Sequence, residues 1–365
     1  MTLFLPSSLP IVQAPMAGAQ GVALALSVCK AGGLGSLPAA MLTPGQLREQ
    51  IGEMRSGGAG PFNVNFFCHA GPVDDPSARR RWLTALAPYY AEAGLDGAAV
   101  APGAARNPFD EAMCEVIEEA RPAVVSFHFG LPDEAPLARV KRTGALILSS
   151  ATTVAEARWL EARGVDAIIA QGREAGGHRG MFLTSDVDGQ PGLFALLPQI
   201  VDAVRKPVIA AGAIADGRGV AAAFTLGAAA VQIGTAYLLS PQAAISTFHR
   251  AALARASDDA TRLTNLYTGR PARGLLTRLM RELGPMSQAA PAFPLAGAAL
   301  APLRAASEKA GRDDFSQFWS GEASALAREE DAGALTRRLW AEALAIAPWL
   351  AAPGERKPRC AHPAS

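Results

Sequence analysis

Short, nearly uninterrupted apolar runs alternate with amphipathic stretches from the start of the chain to about residue 240. The runs are Ile11–Ala14, Leu34–Leu37, Phe62–Phe66, Val124–Phe127, Leu146–Ser149, Ala167–Ala170, Val208–Ala211 and Ala230–Ile233. Each is bounded by glycine, proline or polar residues, which is how parallel strands buried on both faces read. Helix starts lie between them. Thr43-Pro44-Gly45-Gln46 offers an N-cap, a first-turn proline and a capping-box glutamine, and Thr153-x-x-Glu156 has the same form. Asp216-Gly217 precedes another helical stretch. Parallel strands need crossover helices, so eight strand–helix units predict an α/β fold, a (β/α)8 TIM barrel. A doubly wound sheet is the competing arrangement, and the count of eight favours the barrel. The long apolar run Val220–Leu239 contains Gly227, Gln232, Gly234 and Thr235, and reads as a helix followed by a buried strand rather than a membrane span.

Beyond about residue 240 the strand signal stops, and residues 241–350 read as helices broken by Pro285, Pro291, Pro294 and Pro302. The expected organisation is a barrel over 1–245 and a smaller helical domain or lid over 246–320. A closing helix within 321–350, centred on Ala334–Ala347, packs back on the barrel, and a disordered tail follows over 351–365.

Composition narrows the function. Lys+Arg 34 against Asp+Glu 33 excludes a basic nucleic-acid footprint. Half the 365 residues are hydrophobic, enough for a large core. The four cysteines, Cys29, Cys68, Cys114 and Cys360, have neither disulfide-framework nor metal-ligand spacing, so no metal site is expected. The opening residues lack a basic stretch followed by a sustained apolar one, so a cytoplasmic protein without a membrane partner is expected.

In a barrel, chemistry collects where the strands end. Pro15-Met16-Ala17-Gly18 follows the first run, Asn63 and Asn65 lie in the third, and His128 ends the fourth. The sixth runs into Gln171 and then Gly176-Gly177-His178-Arg179-Gly180. Gly212-Ala213, followed by Asp216-Gly217-Arg218-Gly219, and Gly234-Thr235 end the last two. Small residues there let backbone N–H groups approach a phosphate, although the same glycines also suit plain tight turns. Gln171 and Asn65 carry amides that match the donor and acceptor edge of a flavin, or serve as structural amides. Of the five histidines, His249 and His362 are expected at the surface. His69 lies in a loop, His128 faces mouth or core, and His178 sits exposed to ligand between glycines, with a proton carrier's pKa. Arg173 and Arg179 are candidates for steering an anion. No dinucleotide fingerprint, Walker motif or Ser-His-Asp arrangement is evident.

Several of these stretches together resemble the class I nitronate monooxygenases, formerly called 2-nitropropane dioxygenases. They are Gln13 to Gly18, Asn63-Val64-Asn65-Phe66-Phe67, Ser126 to Gly130, Glu174-Ala175-Gly176-Gly177-His178-Arg179-Gly180, Val231 to Thr235 and Gly269 to Gly274. The resemblance implies an FMN-dependent barrel that oxidises alkyl nitronates such as propionate 3-nitronate with O2, giving a carbonyl compound and nitrite. Neutral nitroalkanes are a further expected substrate class. By position, Ala14, Pro15, Met16, Asn65, Gln171, Gly176, Gly177, Gly212, Ala213, Gln232, Ile233, Gly234 and Thr235 would hold FMN. His178 would be the active-site histidine, giving the substrate a positive or donor-rich wall, with His128 as second candidate. The barrel would carry the cofactor and the 246–320 region would flank the substrate. The family's usual Gly-Gly is Gly212-Ala213 here, which suits a phosphate provided the alanine needs no positive φ. The alternatives are an FMN-dependent NAD(P)H reductase of enoyl-acyl-carrier-protein or quinone type, and a non-catalytic flavin-binding module.

Overall fold

A computed structural model describes residues 4–71, 75–97 and 106–351. All eight apolar runs become parallel strands, with ends displaced by two residues at most. They are β1 (Ile11–Gln13), β2 (Ser36–Pro38), β3 (Asn63–Phe67), β4 (Val124–His128), β5 (Leu146–Ala151) and β6 (Ala167–Gln171). After a two-residue strand β7 (Gly177–His178) outside the barrel come β8 (Val208–Ala211) and β9 (Ala230–Ile233). The sheet runs β1-β9-β8-β6-β5-β4-β3-β2. Leu34 closes it, its N–H donating to Ile11 O at 2.8 Å and its carbonyl accepting from Gln13 N at 2.9 Å. The (β/α)8 barrel is therefore the fold.

Two-residue alternation along each strand separates the cores. Ala167 and Ile169 of β6 point into the barrel, where they meet Val12, Leu148 and Ile209. Ile168 and Ala170 point outward against the helices. These are α1 (Val22–Lys30), α2 (Pro44–Ser56), then, after the inserted α3 (Pro76–Glu92), α4 (Glu111–Ala120), α5 (Glu134–Arg142), α6 (Val154–Ala162), α7 (Leu193–Ala203) and α8 (Gly217–Thr225). The eighth place in this layer is taken by α12 (Ala332–Ile346), which comes after α9 (Thr247–Ala254), α10 (Arg278–Leu283) and α11 (Ala296–Lys309). Leu335, Leu339 and Ala343 of α12 are buried in the outer core, Gly217 N of α8 donates to Glu342 at 2.9 Å, and Gly333 N donates to Ser27 of α1 at 3.0 Å. The run at Val220–Leu239 divides between α8 and β9, and no helix among the described residues is long and apolar enough to cross a membrane.

The Thr43 capping box forms as expected: Gln46 N donates to Thr43 Oγ1 and Thr43 N donates to the Gln46 side chain. Thr153 also caps its helix. Glu156 does not return the bond, however. Its carboxylate is fully buried and accepts from Thr152, Phe182 and Leu183, tying the loop after β7 to the barrel.

The expectation of helices alone beyond residue 240 needs correction. Strands β10 (Thr261–Thr264) and β11 (Ala272–Leu275) form an antiparallel pair, and β7 joins it through Ala272–His178. Thr-Arg-Leu-Thr and Ala-Arg-Gly-Leu are too short and too polar to show as apolar runs, and they owe their form to cross-strand partners. A second apolar cluster lies outside the barrel. Trp82, Leu86, Tyr89 and Tyr90 of α3 pack against Tyr267, Met280, Leu300 and Leu303. Trp82 Nε1 donates to Ala296 O at 3.0 Å and Tyr90 OH to Ala299 O at 2.6 Å, so the connection between β3 and α4 joins the late part of the chain. The tail expected at 351–365 falls outside the described residues after Ala351.

Candidate active site

The strand ends enclose one cleft of about 1290 Å³, counting its open mouth. The structure brings together there Ala14, Pro15, Met16, Asn65, Gln171, Gly176, Gly177, Gly212, Ala213, Gln232, Ile233, Gly234 and Thr235, with His128 and His178. Two adjacent turns form its small-residue end. The N–H groups of Ala213, Gly234 and Thr235 donate to no acceptor among the described residues. Convergent unpartnered N–H groups make a concavity for an anion.

Asp216 to Gly219 do not share in it. Asp216 caps α8 by accepting from Arg218 N and Gly219 N, and Gly217 N is spent on Glu342, so this second half of the expected phosphate turn is closed by the protein itself. Ala213 also departs from expectation, because its φ is +51°. An L-residue in the left-handed region costs roughly 1–2 kcal/mol. Ala213→Gly is therefore expected to raise stability by ~1 kcal/mol, the gain being reduced by glycine's extra unfolded-state entropy. A melting temperature unchanged or lowered would show that the surrounding turn imposes no strain.

A strap covers this end. Gly321 N donates to Thr235 Oγ1 at 2.9 Å, Glu322 N to Glu174 O at 3.0 Å and Ser320 N to Arg273 O at 3.2 Å. The approach is so close that a Cβ on Gly176 would lie 2.6 Å from Gly321 N, which explains the glycine.

The two histidines have different roles available. In His128, Nε2 lies 3.1 Å from the His178 carbonyl and Nδ1 lies 3.0 Å from Ser150 Oγ. A carbonyl only accepts, so Nε2 carries the proton and Ser150 donates to Nδ1. Burial, which outweighs the hydrogen bond to His178, pushes the His128 pKa down to about 3. Both nitrogens are occupied, and His128 props up the loop that carries its neighbour. His178 Nε2 lies 3.0 Å from Thr268 Oγ1, whose hydroxyl donates to Arg270 O at 3.3 Å. That arrangement assigns the proton to Nε2 and leaves Nδ1 without a partner among the described residues. Burial first, then the charges of Arg106, His128, Arg270 and His69, hold the imidazole neutral well below its ordinary range. His178 is thus neutral, with its donor spent on Thr268 and its free Nδ1 an acceptor, so in this tautomer it is not the positive or donor-rich wall expected of it.

The amides divide too. Gln171 Nε2 donates to His178 O at 2.9 Å and its Oε1 accepts from Gly180 N at 2.7 Å, so it locks the His178 loop while lining the cleft. Asn65 Nδ2 donates to Ser126 Oγ at 2.9 Å. Gln232 Oε1 is buried without a partner among the described residues, an acceptor waiting for a donor. Arg179, expected as an anion guide, is 0 % exposed and donates to Gln190, Gly172 O and Gln171 O, holding the same loop from beneath. Arg173 is exposed and lies 3.9 Å from Asp188, outside the cleft lining. His249 is buried rather than on the surface, stacked on Phe318 with ring centroids 5.1 Å apart. His69 is buried edge-on to Phe293 at 4.7 Å, and His362 lies outside the described residues.

Sequence reasoning missed an aromatic collar around His178. Phe67, Phe129, Phe293 and Trp319 place their centroids 5.4–6.0 Å from the imidazole. Phe129 holds φ +70°, a strained conformation for a bulky residue, under the Arg270 guanidinium at 3.9 Å. Arg106 was missed as well, although it lines the cleft. Trp319, Phe293 and Arg106 come from segments remote from any strand end, and only the fold delivers them.

A family profile described as nitronate monooxygenase matches residues 1–342. The chain is 42% identical over 337 residues to a nitronate monooxygenase of Paraburkholderia phytofirmans, covering 90% of this chain and 91% of that one. It is 40% identical over 336 residues to a nitronate monooxygenase of Pseudomonas aeruginosa, covering 90% and 95%. A solved structure of nitroalkane oxidase from Streptomyces ansochromogenes superposes with a TM-score of 0.85 at 40% identity, covering 94% of this chain and 98% of that one. With this match along nearly its whole length, the chain belongs to the nitronate monooxygenase family and is an oxidoreductase of that kind.

Proposed function

We propose that the cleft binds FMN and uses it with O2 to oxidise small alkyl nitronates, propionate 3-nitronate among them, to a carbonyl compound and nitrite. The observation that carries this reading is the set of unpartnered N–H groups at Ala213, Gly234 and Thr235 in the same cleft as the free Nδ1 of His178. The residues fit a flavin: a phosphate would complete those N–H groups, and the orphaned Gln232 Oε1 would accept from a ring N–H. Asn65, Gly176, Gly177, Gly212 and Ile233, with Ala14, Pro15 and Met16, line the same cleft and would border the cofactor. Bound FMN supplies the redox chemistry with O2.

The rest falls to the chain. The aromatic collar excludes water from the substrate, and His178 turns its bare Nδ1 lone pair, an acceptor only, toward the substrate. With a neutral nitroalkane, Nδ1 takes the α-proton, leaving an imidazolium whose Nε2–H is held by Thr268. Burial makes that imidazolium costly and Nδ1 a weak base. Preformed nitronates are accordingly the preferred substrates. The 246–320 region contributes Thr268, Arg270 and Phe293 to the substrate side.

The test against a reductase is anaerobic mixing of the yellow holoenzyme with NADH and with NADPH. Slow or absent bleaching is expected. Rapid bleaching by either nicotinamide would make the reductase the better reading, and a colourless protein that cannot be reconstituted with FMN would remove both.

A further inference from the structure

The cleft is unevenly charged. Among the described residues that line it none carries a carboxylate, and the single cationic side chain is that of Arg106. Arg106 lies in the connection between β3 and α4. Its guanidinium has neither an ion pair nor a hydrogen bond among the described residues. The stretch just before it, 98–105, consists of Ala, Val, Pro and Gly and so offers no acid. The charges acting on it make matters worse: Arg304 of α11 is another cation, and burial and Arg304 together hold the Arg106 pKa below its usual value. A half-buried cation without a counter-charge is partly desolvated at a cost, and an anionic ligand offsets it.

Two parts of the reaction have places already: the cofactor phosphate at the turns after β8 and β9, and the nitro-bearing carbon of the substrate at the bare Nδ1 of His178. We propose that Arg106 is a specificity-determining residue that holds a carboxylate at the far end of the substrate, so that the enzyme selects short nitronates bearing a carboxylate over those with an uncharged tail. The proposal rests on the nitronate reading above and adds which nitronates the site prefers. The planar guanidinium suits the two carboxylate oxygens through paired N–H donors, whereas lysine offers only a point charge. Because Arg106 makes no hydrogen bond to His178, its donors stay available when the imidazole engages the nitronate end.

The experiment compares propionate 3-nitronate with butyl 1-nitronate in the FMN-loaded wild type and in Arg106→Met and Arg106→Lys. The ratio of their KM values is expected to shift against propionate 3-nitronate by roughly 10–100-fold in Arg106→Met, the range for losing a hydrogen-bonded charged partner, with partial recovery in Arg106→Lys. A readout independent of turnover uses succinate, in which a second carboxylate replaces the planar nitronate. Succinate should bind the wild-type holoprotein by calorimetry and lose that affinity in Arg106→Met, while uncharged butyramide binds both variants alike. An unchanged KM ratio would overturn the proposal, because Arg106 would then act on the nitronate group or on nothing. So would a wild type that binds succinate no better than butyramide. Failure of the wild type to oxidise either nitronate would instead sink the functional reading, and succinate binding would still decide the anion site.

Discussion

Replacing His178 with Asn is expected to separate two activities that a wild-type assay reports together. Turnover of neutral nitroalkanes should fall by about 10²–10⁴-fold, the usual contribution of a positioned base. Oxidation of preformed nitronates should fall much less, because their proton is already gone and they need no base. The cofactor should stay bound, since the unpartnered N–H groups lie on the turns after β8 and β9. The pH profile sharpens the test. The neutral form of His178 persists well below the ordinary histidine range, so the wild-type rate on nitroalkanes should not lose a base near pH 6.5. Equal losses on both substrates would assign His178 to binding rather than proton transfer. No loss on either would contradict its place at the centre of the cleft, and His128, with both nitrogens engaged, is poorly placed to substitute.

Acidification is expected to destabilise the fold before any carboxylate titrates. Burial lowers His128 to about 3, and His69 and His249 to about 4. Unfolded histidines titrate near 6.5. Below that value the unfolded chain binds more protons than the native one, so stability falls as pH falls. Each of these histidines removes ~1.4 kcal/mol per pH unit between about 6.5 and its folded value. Together with His178, which burial also holds neutral well below that value, they make a slope of ~5 kcal/mol per unit, steep for a fold whose total is commonly 5–15 kcal/mol. Urea midpoints at pH 7.5, 6 and 5 read this directly. His249→Leu, remote from the cleft lining, should flatten the slope by about one quarter. A midpoint constant from pH 7.5 to 5 would mean that these rings are solvated or charged in the native state.

The barrel was legible in the sequence because its strands are buried on both faces, which leaves continuous apolar runs such as Ala167–Ala170 and Val208–Ala211. The Thr43 cap was legible because a capping box is local. Features set by distant partners were not. β10 and β11 are strands because they pair with each other and β11 also with the His178 segment, and nothing in their residues requires it. Arg179 and His249 carry polar side chains that look like surface residues until the carbonyls around one and Phe318 beside the other are in place. Ala213 was identified as a departure, but its positive φ depends on the path between β8 and α8. At the candidate site, residues at strand ends could be read from the spacing of the strands. The collar and Arg106 could not, because Phe293, Trp319 and Arg106 come from insertions whose return to the mouth is a matter of tertiary packing.

The most direct measurement is nitrite release alongside O2 consumption when propionate 3-nitronate is added to the FMN-loaded enzyme in a closed, air-saturated cell. The account predicts that nitrite appears as O2 disappears, that neither happens with the FMN-free protein, and that preformed nitronate is used faster than the parent nitro acid. No nitrite and no O2 uptake between pH 6 and 9, from a protein that retains its yellow cofactor, would contradict it.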